Sequence, residues 1–189
     1  MFSELMILMR LFGRIIGTAI LSSAMCITAN AEQANIAVAS NFNHTMKILI
    51  QEFEKTSSHQ IKASYGSSGK IYAQIHHGAP FQIFFSADQL KPLALYNEGF
   101  TMDKPFTYAS GALALWSSNK YFKHQELEKL QSGEFNKLAI ANPKLAPYGI
   151  AAMEALAALS LIEPTRKKWI HGENIAQTYQ FVGTGNADL

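Results

Sequence analysis

The feature that most narrows the folding options is a repeated change of hydrophobic period along the chain. Short apolar runs that read as strands alternate with stretches whose apolar residues recur at helical spacing. Asn35-Ile36-Ala37-Val38-Ala39 reads as a strand, after which Phe42, Met46, Leu49, Ile50 and Phe53 mark one helical face. Gln60 to Ser64 predicts a second strand, Tyr65-Gly66-Ser67-Ser68-Gly69 a turn, and Ile71, Tyr72 and Ile75 the start of a second amphipathic helix. Phe81 to Phe85 predicts a third, buried strand. Strand, helix, strand, helix, strand implies a parallel sheet, because parallel neighbours need a crossover long enough to hold a helix.

From Ser110 the pattern restarts. Ala112 to Trp116 is a strand candidate, Leu127 to Leu130 falls in a short helix, and Leu138-Ala139-Ile140-Ala141 is a further strand. A long helix is expected after Gly149, with Ile150, Met153, Ala157 and Ser160 on one stripe, until Pro164 interrupts it. Tyr108 to Gly111 separates two expected α/β lobes, residues 32–108 and 109–189. Gly183-Thr184-Gly185-Asn186-Ala187-Asp188-Leu189 reads as turn chemistry followed by the first residue of another strand. The second lobe is therefore expected to be incomplete and the chain to be truncated.

Arg10 and Arg14 precede an apolar stretch from Ile15 to Ile27 that ends in Ala29-Asn30-Ala31, the layout of a cleavable signal peptide over residues 1–31. Gly17, Thr18, Ser22 and Ser23 interrupt that stretch, which falls short of the ~20 apolar residues of a spanning helix. A lipoprotein anchor on Cys26 is disfavoured by the bulk of Met25 before it. Because Cys26 is the only cysteine, the exported portion is expected to fold without a disulfide. Its basic and acidic side chains nearly balance once Arg10, Arg14 and Glu4 are removed, which offers no basic field to nucleic acid.

Three predicted strand-to-helix junctions carry the chemistry: Ala39-Ser40-Asn41, Ser67-Ser68-Gly69 and Pro147-Tyr148-Gly149. A helix N-terminus has N–H groups without internal partners and roughly half a positive charge, so it attracts an anion with no cationic side chain. Each serine also suits a helix cap, and these residues alone leave the two roles open. Gly66-Ser67-Ser68-Gly69-Lys70 fails the nucleotide-loop pattern, since Ile71 stands where Ser or Thr is needed. His76-His77 with His44 matches no metal-ligand spacing and suits a solvated helix face. Asp88 reads as a capping or turn residue. Lys70 reads as a surface lysine or as a charge beside the site.

Six segments, in order and behind the leader, resemble the periplasmic molybdate- and tungstate-binding proteins of ABC uptake systems: Ala37 to Phe42, Ser67 to Ile75, Gly78 to Asp88, Leu138 to Pro143, Ala146 to Gly149 and Gly183 to Asp188. The resemblance covers nearly all of the chain beyond residue 31. It implies a two-lobed, type II-like periplasmic binding fold, each lobe a mainly parallel sheet flanked by helices. A tetrahedral dianion would lie between the lobes, held by neutral groups. Carried over, Ser40 and Ser68 supply hydroxyls, while Tyr148, after Pro147, and Ile175, near a helix start, supply main-chain N–H groups; Ser67 stays open as an alternative to Ser68.

The resemblance further implies a monomer without enzymatic activity, cofactor or direct protein–metal ligand, which delivers its cargo to a membrane permease. Two departures stand out: Gln82 occupies a place where the family commonly has an acid, and the family continues past the position of Leu189. Rival readings are a truncated remnant without a binding role, a binder of sulfate or phosphate, and an enzyme on the same architecture.

Overall fold

The computed structural model describes residues 32–189, and the expected signal peptide lies outside them. Two parallel sheets organise the chain. The first has the order β2-β1-β3, with β1 (Gln33–Ala39) between β2 (Gln60–Gly66) and β3 (Ile83–Phe85). β1 is central because its residues can be covered on both faces: Ile36, Ala37, Val38 and Ala39 are all buried. Ile36 and Val38 pack on Met46 of α1 (Asn43–Thr56), with Phe42, Ile50 and Phe85 around them. Helix α2 (Ser68–His76) also packs on β1, and α3 (Leu90–Asn97) packs on α2.

The second sheet pairs β4 (Leu138–Ala141) with β5 (Trp169–Gly172). All four residues of β4 are buried, as expected of a strand with cover on both sides. On one face Leu138 and Ile140 meet Ala152 and Leu156 of α5 (Pro147–Ala158), joined by Leu130 of α4 (Glu126–Ser132), Phe135 and Leu161. On the other face Ala139 meets Val182 of α7 (Ile175–Gly183). A one-turn helix, α6 (Ile162–Thr165), accommodates Pro164 and leads into β5. Gly133 ends α4 in the left-handed region at φ 76°, where glycine carries no side-chain penalty.

Several expectations need correction. Ala112 to Trp116 forms no strand: the segment pairs with no strand among the described residues, with Leu113, Leu115 and Trp116 exposed, and a strand without a ladder partner gains no backbone hydrogen bonds. The third strand is shorter than predicted and sits at an edge, so Ile83 is exposed rather than buried. Helix α5 starts at Pro147, before Gly149, and buries Gly149, Ala152 and Leu156; of the predicted stripe Met153 packs beside them, while Ile150 faces outward. On α1 only Met46 is buried, and Leu49 and Phe53 are exposed. α3 and β5 were not anticipated.

The closing segment behaves as predicted. Leu189 donates to Lys137 O and accepts from Ala139 N–H at 2.8 Å, the pattern of a parallel bridge on the edge of β4 opposite β5. Asp188 fixes this register, its Oδ2 accepting the N–H groups of Asn136 and Lys137. Gln82 has a comparable task in the first sheet: its Oε1 accepts from Asn35 N at 2.6 Å and its N–H donates to Asn35 O, which pins the entry of β3 to β1.

Candidate ligand site

In both sheets the chain leaves the carboxyl ends of the strands through short loops into helical segments, the edge at which parallel α/β sheets present their ligands. Ala39 pairs with Gly66 and Val38 with Phe85, so the three strands of the first sheet end side by side. Ser40 follows β1 and opens a short 3₁₀ turn, Ser40–Phe42. Ser67 and Ser68 follow β2, and Ser86 follows β3. In the second sheet Ala141 pairs with Gly172, and the next helices begin at Pro147 and Ile175. All four candidate positions thus lie at helix starts beyond strand ends.

The two sets of loops meet. Gly69 N–H donates to Leu145 O at 2.9 Å, α7 packs against the Ser40–Phe42 turn, and Gly111 closely approaches the Tyr148 hydroxyl. Lys70 Nζ lies 3.2 Å from Glu173 Oε1. The lysine thus answers to a partner on the other side, an outcome more specific than either reading made from sequence.

Donor geometry differs among the candidates. Ser68 is buried, and its Oγ accepts from Ala87 N–H at 2.9 Å, which orients the hydroxyl and leaves its proton to donate. Ser67 is equally buried, makes no side-chain cap to α2, and its Oγ has no hydrogen-bond partner among the described residues; Asn43 Oδ1 is in the same condition. Ser40 is partly exposed. Among the described residues the N–H groups of Tyr148 and Ile175 take no backbone partner, whereas Gly149 N–H is spent on Ala146 O. Asn174 caps α7 through Oδ1 to Gln177 N–H, a side-chain cap that does not engage Ile175 N–H.

Ser86 and Tyr108 were missed. Tyr108 donates its hydroxyl to Ser86 O at 2.9 Å, and burial, then the nearby Tyr148, raises its phenol above the ordinary value. Ser86 occupies the same position after its strand as Ser40 after β1, and that repetition was a usable signal. Asp88 accepts from Lys91 N–H at 2.9 Å at the start of α3, a turn-capping role as expected. His76 stacks near Phe100 and lies 3.5 Å from Glu98, on an exposed face away from these loops. Among the described residues no group of three or more His, Cys, Asp or Glu is placed to hold a metal.

Helix N-termini are thus gathered beyond the strand ends of two parallel sheets. Residues 34–189 match the family described as bacterial extracellular solute-binding protein, and the chain belongs to that family. It is 44% identical to the molybdate-binding protein ModA of Azotobacter vinelandii and 37% identical to that of Rhodobacter capsulatus, in each case over 87% of this chain and 66% of the relative. The chain therefore spans just under two thirds of the length of these relatives. The solved periplasmic molybdate-binding protein of Azotobacter vinelandii superposes with a TM-score of 0.79 at 35% identity, over 82% of this chain and 68% of that one. A substrate-binding domain of a putative molybdenum ABC transporter from Clostridium difficile shares the fold, with a TM-score of 0.51 at 23% identity.

Proposed function

We propose that this protein binds molybdate or tungstate between two lobes, divided near residues 108 and 109, and delivers it to an ABC permease. Ser40 and Ser68 donate through their hydroxyls, Tyr148 and Ile175 through main-chain N–H. The observation that carries this reading is that these four positions open helical segments beyond the strand ends of both sheets, where unpaired N–H groups and helix dipoles favour a dianion. The named relatives support the choice of oxyanion.

Binding requires no covalent step. A dianion that leaves water exchanges its solvent hydrogen bonds for charge-assisted ones from neutral groups, and the absence of a proton on its oxygens separates it from protonated phosphate. The protein acts as a monomer in the periplasm after removal of residues 1–31. Thermal unfolding with and without molybdate, tungstate and sulfate tests the reading. A ligand held only by the folded chain stabilises it by ~2.7 kcal/mol at about a hundredfold over its Kd. Tm rises with molybdate or tungstate and not with sulfate; a shift with sulfate alone, or with none of the three, refutes it.

A further inference from the structure

Gly69 and Lys70 are consecutive residues in the first turn of α2, and each reaches a different loop of the second sheet. Leu145, which accepts from Gly69 N–H, lies in the loop ahead of α5 that presents Tyr148; Glu173, which meets Lys70, lies in the turn after β5 that presents Ile175. The two loops that carry the candidate main-chain donors are thus each tied to the helix that carries Ser68. The approach at Gly69 is backbone to backbone. A Cβ there would stand 2.7 Å from Leu145 O and 3.3 Å from Leu145 C and Cα, atoms that cannot swing aside as a side chain does.

We propose that Gly69 and Lys70 form a two-point clasp that holds the two halves together over the bound anion and sets its rate of release. The inference rests on the reading that an oxyanion lies between the halves. Glu173 takes up the Lys70 charge, so the donors facing the ligand stay neutral. The hydrogen bond at Gly69 sets how closely the halves approach. Both residues act on the ligand through the position of Tyr148 and Ile175, and are positioning residues.

Release separates this role from a general loss of stability. In stopped-flow displacement of molybdate, Lys70→Met and Glu173→Gln each speed release by roughly two- to fivefold, as expected for a half-exposed ion pair. The double variant releases no faster than the single ones, and the reversed pair Lys70→Glu with Glu173→Lys recovers slow release. Gly69→Ala speeds release more than tenfold and also lowers Tm without ligand, because the clash with the Leu145 main chain outweighs the gain in helix propensity; the ion-pair cycle carries the distinction from lost stability. Independent release rates in the ion-pair cycle, or unchanged release in Gly69→Ala, overturn the clasp.

A ligand-free measurement keeps the two ideas apart. Spin labels at Gln51→Cys on α1 and Glu154→Cys on α5, both exposed sites, report the separation of the halves in the protein from which residues 1–31 have been removed, where no other cysteine competes for the label. Gly69→Ala lengthens or broadens that distance if the clasp holds. If the wild type binds neither molybdate nor tungstate, the proposed function fails, and an unchanged distance in Gly69→Ala then overturns the clasp as well.

Discussion

Adjacent serines at one helix start have opposite accounts. Ser68 is already an acceptor for Ala87 N–H, so Ser68→Ala removes both a structural bond and a ligand donor. A lost bond to a charged group costs about 1.5–3 kcal/mol. That corresponds to roughly 10- to 100-fold weaker molybdate binding by calorimetry, together with a small drop in Tm. Ser67→Ala deletes a buried hydroxyl that has no partner among the described residues and is expected to leave both Tm and affinity nearly unchanged. The reverse order of affinities would move the donor role from Ser68 to Ser67. From sequence the pair could be narrowed but not ordered, because one residue of slip along the chain decides which hydroxyl is engaged by Ala87.

At the scale of elements, α5 shows how tight packing outranks propensity. A Cβ at Gly149 would come within 3 Å of Ala141 O, Asn142 C and Pro143 N, all main-chain atoms. Alanine adds up to ~1 kcal/mol of helix propensity, but overpacking against rigid neighbours costs about 1–3 kcal/mol. Gly149→Ala therefore lowers stability, seen as a lower urea midpoint with an unchanged slope. The same contact explains why the predicted stripe on this helix held only at Met153: a helix rich in alanine has no strong apolar face in its sequence, and glycine marks the side pressed on β4. Strong runs such as Leu138 to Ala141 were legible to the residue. Ala112 to Trp116 was not, because its composition suits a strand while pairing is a property of neighbours that the segment does not reveal.

For the whole molecule, residues 33–189 form one compact unit although they contain two sheets. Their unfolding is expected to be a single step. Trp116 stacks on Tyr179 at 4.6 Å, while Trp169 begins β5 and donates to Thr165, so fluorescence of the Trp116→Phe variant follows the second sheet through Trp169 alone. Its urea transition coincides with that of far-ultraviolet circular dichroism, which reports both sheets; two separate midpoints would show that the halves unfold independently. Local period made two α/β lobes visible and junction chemistry pointed to Ser40, Ser68 and Tyr148, whereas Ile175 and the donor roles entered only through the family resemblance. Sequence could not reveal that Lys70 is engaged by Glu173 or that Gly69 touches Leu145, because such contacts join segments distant in the chain.

Two of the four candidate donors are peptide groups, at Tyr148 and Ile175, and no codon for a non-proline residue removes a peptide N–H. Drift of the side chains at these two positions would leave the hydrogen bonds in place. A laboratory selection for a receptor with a taste for a larger or smaller oxyanion should therefore enrich insertions and deletions between Asn142 and Pro147, where the loop sets the reach of the Tyr148 amide, ahead of replacements at Tyr148 itself.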